Sequence, residues 1–206
     1  MLFQGLGRRG GQEVRVMSRN AINVVRESYK DIDDMDKAAA YFLDHVAWDR
    51  LGPVPIVTIA QSIGFKLFMH ELENNVSGFL LISPDIREYF ETDRIIVVNQ
   101  NDSAEQRKFT VAHEIAHFLY DFDEDKEIVF FSSFDKDNRT DQKEERANTF
   151  ARDLLMPKDA FCKAARTLSE EGLKYYEIVS KLCDMFGISS NAIAARYREL
   201  GLAESN

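Results

Sequence analysis

Residues 103–120 read SAEQRKFTVAHEIAHFLY. Ser103 can cap a helix with its hydroxyl, and Gln106 follows three residues later, which is the spacing of a capping box at a helix start. The predicted helix begins after this cap and runs to about Tyr120. It contains the most distinctive motif of the chain.

The motif is His113-Glu114-Ile115-Ala116-His117, or H-E-x-x-H. Residues four positions apart share one helical face, so both imidazoles can reach a single metal ion. Glu114 lies one residue after the first histidine, where it can accept a proton from metal-activated water. The motif predicts a metal site in which His113 and His117 are ligands and Glu114 is the general base.

A catalytic zinc needs a third protein ligand and one open position for water. We expect this ligand on the amphipathic helix predicted from residue 142 to just before Pro157. On a helical wheel Glu144 falls on the buried face with Ala151 and Leu155, whereas Glu145 falls on a polar flank. A carboxylate on an apolar face needs a partner, so Glu144 is the predicted third ligand. Alternatively, Glu144 only stabilises the N-terminus of the helix, where acidic residues are favourable.

Asn148 lies one turn after Glu144 and could hydrogen-bond a ligating histidine or carboxylate. Alternatively, it holds the adjacent backbone. Zinc is the expected metal, one per chain, although manganese or cobalt could substitute. An additional donor to the oxyanion is expected. The sequence does not choose among Arg107, His70, Tyr175, Tyr176 and Tyr197.

The surrounding sequence predicts an α+β fold. Early strands are expected at 65–69, 79–82 and 94–99, with a turn at 74–78, and early helices at 34–50 and 55–63. Later helices are expected near 158–169, 173–186 and 190–200. We therefore expect a small, mainly antiparallel sheet with a zincin-like H-E-x-x-H helix, followed by a helical C-terminal region.

The composition excludes several classes of protein. The chain has 206 residues, of which 45% are apolar and 30% charged, and its formal charge is -9. An acidic balance argues against a protein that coats nucleic acid. We find no apolar run long enough for a membrane span and no signal peptide. Cys162 and Cys183 fit neither a disulfide framework nor a metal knuckle, so we expect a cytoplasmic protein.

We predict three regions along the chain. Residues 1–16 contain several Gly and Arg residues and no periodic apolar pattern, and they partly match a protease cleavage site used in expression vectors. We therefore interpret them as a remnant of the expression vector or as a disordered arm. Residues 17–160 are the predicted metallopeptidase domain, and 161–206 the helical C-terminal region. Within the first domain, 121–143 is acidic and should be mostly exposed loop, with a possible edge strand at 128–131.

Residues 173–200 resemble a helix-turn-helix, in which Arg196 and Arg198 would be the residues that read DNA. Basic and acidic side chains nearly balance across this segment. We therefore favour packing, or a platform for a partner protein, over DNA binding.

The two site blocks resemble those of the ImmA/IrrE metallopeptidases. Residues 107–119 resemble the family's R-x-F-T-x-A-H-E-x-x-H helix, and 144–157 resemble its E-x-E-A-N-x-F-A…LLMP block. The segments ending at Gly64, around Gly78 and over 95–99 fit as well. Arg146 departs from the pattern, since an acid is common there, and 121–143 is long and acidic.

The resemblance implies a gluzincin-like protease of narrow specificity with His113, His117 and Glu144 as metal ligands and Glu114 as the base. Its implied substrate is a helix-turn-helix repressor, as in the control of a mobile element, a toxin–antitoxin pair or a stress response. One alternative is a metal-bound module that sequesters a repressor or antitoxin without cutting it. Another is a DNA-binding regulator that uses the C-terminal helices. If the protein is a repressor-cleaving metallopeptidase, we expect no direct contact with nucleic acid or membrane.

Overall fold

The computed structural model describes residues 28–29, 32–46, 48, 52–122, 128–133 and 142–202, the backbone alone for 128–133. The interpretation of residues 1–16 lies outside these ranges. The strands are β1 (Lys66–His70), β2 (Val76–Ile82), β3 (Arg94–Asn99) and β4 (Ile128–Ser133). The helices are α1 (Met35–His45), α2 (Ile56–Ser62), α3 (Arg87–Phe90), α4 (Ala104–Tyr120), α5 (Gln142–Leu155), α6 (Lys158–Glu170), α7 (Tyr175–Phe186) and α8 (Ser190–Glu199). A short 3-10 helix, Pro84–Ile86, precedes α3.

The strands form one sheet in the order β1-β3-β2-β4. β1 runs parallel to β3, whereas β2 is antiparallel to both β3 and β4. Leu80 of β2 lies between Ile96 of β3 and Phe130 of β4 in the register. Every residue of β3 is buried, as expected for a strand that lies inside a sheet. The predicted α+β fold with a small, mainly antiparallel sheet is therefore confirmed, and the expected edge strand is β4.

Two sequence-based boundaries were wrong. The first helix was expected to reach residue 50, but α1 ends at His45, where the backbone N–H of Val46 donates to the carbonyl of Phe42. The turn expected at 74–78 is shorter, because β2 already begins at Val76. Gly78 pairs with β3 on one side and β4 on the other, so cross-strand pairing overrides the local turn preference.

Helix α4 lies against the sheet. The Ser103 hydroxyl accepts a hydrogen bond from the backbone N–H of Gln106 at 3.1 Å, as the sequence predicts. Residues 110–119 are all buried, because the helix contacts β2, β3, β4, α2 and α5. A Cβ at Gly78 would lie 2.6 Å from Thr110 Cγ2 and 2.5 Å from the Val97 carbonyl oxygen. Only glycine allows β2 to approach α4 this closely.

Helix α5 packs on α4 and α1 through the apolar face predicted from the sequence. Its buried apolar residues are Ala147, Phe150, Ala151, Leu154 and Leu155. This contact places the first turn of α5 beside the second half of α4. It thereby positions the functional site.

The C-terminal helices share the hydrophobic core with the sheet and α4. Phe161 of α6 and Leu182 of α7 belong to the same buried cluster as Phe118 of α4. Among the described residues, no helix is both long and apolar enough to span a membrane. The division of the chain at residue 160 stays a prediction.

Arg196 of α8 lies in the interior and is fully buried. Its guanidinium pairs with Asp153 of α5 at 2.9 Å, with Glu199 at 3.2 Å and with Asp36 of α1. Burial by itself lowers the pKa of Arg196, but these carboxylates together raise it, so the side chain stays charged. Arg196 therefore cannot read a DNA base in this fold, as the DNA-binding alternative requires. Arg198 is exposed.

Candidate metal centre

Three side chains of the candidate site lie on helix α4. His113, Glu114 and His117 are only 4%, 0% and 1% exposed. One helical turn separates the two histidines, and their Nε2 atoms lie 3.0 Å apart. The two imidazoles therefore face one point in the protein interior.

Helix α5 brings Glu144 to the same point. Glu144 Oε2 lies 3.2 Å from His113 Nε2, and Oε1 lies 3.1 Å from His117 Nε2. The ligand atoms of the three residues lie within 4.8 Å of one another, a group that could hold a metal ion. Glu145, the next residue, is exposed. The structure thus brings together the three residues named from the sequence as ligands.

Each imidazole is held from behind by a hydrogen bond at Nδ1. His113 Nδ1 donates to the amide oxygen of Asn148 at 3.0 Å. His117 Nδ1 donates to Asp121 Oδ2 at 2.9 Å. A carboxylate only accepts, so the Nδ1 proton of His117 is assigned and its Nε2 is left as the inward-facing atom.

The arrangement fits a divalent cation. With both Nδ1 protons directed outward, the two Nε2 lone pairs and the Glu144 carboxylate converge as acceptors in a partly buried space. Acceptors this close repel one another unless a cation lies among them. Two imidazoles and one carboxylate also form a ligand set that proteins use for catalytic metal ions.

Without metal, the acidic groups of the site favour a proton on His117, just as they would favour a bound cation. Burial by itself lowers the pKa of His117, but the hydrogen bonds with Asp121 and Glu144 raise it to about 9. Burial would raise the pKa of Glu144, yet its hydrogen bonds with His113 and His117 hold it well below the ordinary value. In the absence of metal, a proton on His117 offsets the carboxylates.

Asp121 is a site residue that the sequence reasoning did not identify. It was assigned to the acidic stretch 121–143, where it would be one of many solvated acids. Instead, only 3% of its side chain is exposed. The available signal was spacing, because Asp121 lies four residues after His117 and therefore on the same helical face.

The five oxyanion-donor candidates lie in different surroundings. Arg107 donates to the carbonyl oxygens of Gln100 and Asp102, which ties the first turn of α4 to the preceding loop. The rings of Tyr175 and Tyr197 pack edge to face with centroids 5.5 Å apart. The remaining two, His70 and Tyr176, are exposed. These contacts single out none of the five as the donor.

Comparisons with known proteins identify a family and a similar fold. The model of the Peptidase_M78 family, described as an IrrE N-terminal-like domain, matches residues 60–198. A solved structure of a Mycobacterium tuberculosis transcriptional regulator is similar in fold, with a TM-score of 0.52 and 19% sequence identity. The similarity covers 84% of this chain, which spans only 50% of the length of that regulator. No curated protein matches the sequence.

Proposed function

We propose a function on the premise that this chain belongs to the Peptidase_M78 family, whose model matches more than half of it. The protein acts as a zinc-dependent endopeptidase of narrow specificity. One observation carries the proposal: the acceptor groups of the buried His113 and His117 and of the partly exposed Glu144 converge near the buried carboxylate of Glu114. A site that only stabilised the fold would not require that additional acid.

His113, His117 and Glu144 are the proposed ligands, and Asn148 orients His113 through its hydrogen bond at Nδ1. Two histidines and a glutamate suit zinc, and they leave a coordination position for water. When bound, the zinc ion supplies Lewis acidity, which acidifies a water molecule and polarises a peptide carbonyl.

Glu114 is the proposed general base. It follows His113 directly on α4, and its charge contributes to the raised pKa of His117, so its carboxylate lies within electrostatic reach of the ligands. Glu114 accepts a proton from the attacking water and then delivers a proton to the leaving amine. Its full burial excludes bulk water, which strengthens the influence of its charge on the reacting atoms.

The proposed substrate is a regulatory protein, specifically a helix-turn-helix repressor. The support is the resemblance of the two ligand-bearing blocks, 107–119 and 144–157, to the ImmA/IrrE metallopeptidases. Cleavage of one such partner agrees with a narrow specificity.

Metal content per chain tests the first step of this proposal. Elemental mass spectrometry of the purified protein should find about one zinc per wild-type chain. Glu144→Ala should weaken retention of zinc, whereas Glu145→Ala, a matched change at the adjacent exposed residue, should keep it. A wild-type protein that binds no metal after loading with divalent ions would overturn the proposal.

Cleavage tests the second step. The zinc-loaded protein is incubated with purified helix-turn-helix repressors, and mass spectrometry searches for a single cut peptide bond. Cleavage by wild type but not by Glu114→Gln is the expected result. A stable complex that yields no product, and that Glu114→Gln leaves unchanged, would instead identify a sequestering module.

A further inference from the structure

We propose that Asp121, held in place by Arg146, positions His117 for metal binding and sets the affinity of the site for zinc. This inference rests on the proposed function, because it concerns the same metal centre. Neither residue is a ligand. Asp121 acts through His117, and Arg146 acts through Asp121.

The first step of the argument is the contact between Asp121 and His117. Asp121 is the C-cap residue that follows α4, one turn after His117, and its Oδ2 accepts the Nδ1 proton at 2.9 Å. A charged acceptor at Nδ1 fixes the ring orientation and makes the opposite nitrogen a stronger electron donor. In the described part of the chain, the acceptor behind His113 is the neutral amide oxygen of Asn148. The two imidazoles are therefore unequal, and His117 is the better donor.

The second step is the contact between Asp121 and Arg146. Arg146 Nη2 donates to Asp121 Oδ1, the other carboxylate oxygen, at 2.7 Å. Each carboxylate oxygen of Asp121 therefore accepts a hydrogen bond, one from His117 Nδ1 and the other from the cationic guanidinium of Arg146. The carboxylate thus stays ionised behind His117. Lys143 Nζ adds a weaker contact at 3.6 Å to the same oxygen.

The third step is the way in which Arg146 itself is held. Its guanidinium lies over the ring of Tyr120, 4.8 Å from the centroid, and only a third of the side chain is exposed. A guanidinium stacked on an aromatic ring loses orientational freedom, so its hydrogen bond is already directed at Asp121. Arg146 also follows Glu144 by two residues on α5. The Asp121–Arg146 pair is therefore a second link between α4 and α5, beside the link through the ligands.

A purely structural role makes a different prediction. If the pair only held α4 and α5 together, its loss would lower the stability of the metal-free protein, with no specific effect on zinc. A positioning role predicts weaker zinc binding even in variants whose metal-free fold is intact. Zinc affinity, measured by competition with a chromogenic chelator, separates these roles. Thermal unfolding of the metal-free protein supplies the second readout.

The experiment compares Asp121→Ala, Asp121→Asn and Arg146→Gln with wild type. Loss of an acceptor behind a metal-bound histidine typically weakens metal affinity by about tenfold to a hundredfold, which we expect for Asp121→Ala. Asp121→Asn keeps the size of the side chain and an uncharged acceptor, so its loss of affinity should be smaller than that of Asp121→Ala but still measurable. A packing role predicts no loss for this isosteric change. Arg146→Gln leaves Asp121 in contact with His117 and should also have a smaller effect than Asp121→Ala.

Two control variants match these changes in charge. Glu145→Gln removes an exposed carboxylate from the first turn of α5, and Arg166→Gln removes an exposed guanidinium from α6. Both should bind zinc as wild type does. If either weakened binding as much as Asp121→Ala, a general effect of net charge would replace the positioning role.

The remaining outcomes decide between this inference and the proposed function. If wild type binds zinc and all three variants bind it within twofold of wild type, the positioning role is wrong and the proposed function stands. If wild type binds no zinc, both fail. If Asp121→Ala does not fold, Asp121→Asn and Arg146→Gln carry the test, and wild-type affinity in both overturns the inference.

Discussion

Glu114 is the residue on which the proposed reaction depends. Glu114→Gln keeps the size of the side chain but removes the base, so cleavage should fall by about 100-fold or more. Zinc content should not change, because the three ligands remain. The measurement combines the initial rate of cleavage of the identified substrate with the amount of zinc per chain.

The matched control for this prediction is Glu105→Gln, which changes an exposed glutamate in the first turn of the same helix. It should cut at the wild-type rate. Undiminished cleavage by Glu114→Gln would mean that another group accepts the proton.

The protonation of His117 predicts how zinc affinity depends on pH. In the metal-free chain its pKa is raised to about 9, so zinc must displace a proton from Nε2 at neutral pH. The apparent affinity should therefore rise by about tenfold per pH unit between pH 7 and 9 and then level off. Chelator competition at several pH values measures this slope. The exposed His45 does not contact the site, so His45→Gln should leave the slope unchanged. A zinc affinity that does not change with pH would contradict the prediction.

The same proton has the opposite effect on the metal-free fold. The folded pKa of His117 lies above its ordinary value of 6.5. Its contribution to stability is therefore complete below pH 6.5 and is lost as the pH rises through about 9. In the presence of a chelator, wild type should unfold at lower urea concentration at pH 9 than at pH 7. Zinc-loaded protein should not show this loss, because the metal has already displaced the proton.

At the scale of elements, the contact between β2 and α4 depends on one missing side chain. Gly78→Ala would place a Cβ 2.5 Å from the Val97 carbonyl oxygen and 2.6 Å from Thr110 Cγ2. The strand would have to move away from both neighbours. We expect a loss of about 1–3 kcal/mol in the free energy of unfolding, measured with urea.

A double variant identifies the cause of that loss. Thr110→Ser removes the methyl group and keeps the hydroxyl that donates to the Gln106 carbonyl oxygen. Combined with Gly78→Ala, it should recover part of the lost stability, because the contact with the Val97 carbonyl remains. If Gly78→Ala alone did not lower the free energy of unfolding, our inference that β2 packs closely on α4 at this residue would be wrong.

Periodicity explains why α5 could be read from its sequence. The helical wheel separated Glu144 from Glu145 because a helix repeats every 3.6 residues or so, and the apolar residues marked the inward face. In the structure Glu144 faces the histidines, and Glu145 is exposed. The predicted boundaries of the turn at 74–78 were wrong because, unlike the face of a helix, a strand is not set by local periodicity. A strand is defined by its partners, which lie elsewhere in the chain.

At the scale of the whole molecule, Arg196 joins the C-terminal helices to the rest of the fold. Its partners Asp36 and Asp153 belong to α1 and α5. Arg196→Met would leave these carboxylates without their shared cation, and Asp153 is only 3% exposed. We expect a loss of about 3 kcal/mol in the free energy of unfolding.

Arg198→Met is the matched control, since Arg198 lies on the same helix and is exposed. It should change stability by no more than about 0.5 kcal/mol. Equal effects of the two substitutions would show that the buried ion pairs of Arg196 contribute little.

The features that arise from local geometry could be predicted from the sequence alone. The spacing of His113 and His117 is set by one turn of α4, the orientation of Glu144 by the apolar face of α5, and the helix start by the Ser103 cap. These features depend on residues within a few positions of one another. They could be read before any tertiary contact was known.

Several contacts between residues far apart in the chain could not be predicted from the sequence and are seen in the fold. The order β1-β3-β2-β4, the contact of Arg146 with Asp121 and the burial of Arg196 all join segments far apart in the chain. Local sequence does not distinguish a solvated charge from a buried, paired one, because the difference lies in which element packs against it. For that reason Asp121 was assigned to an exposed acidic stretch, whereas in the fold it lies directly behind His117.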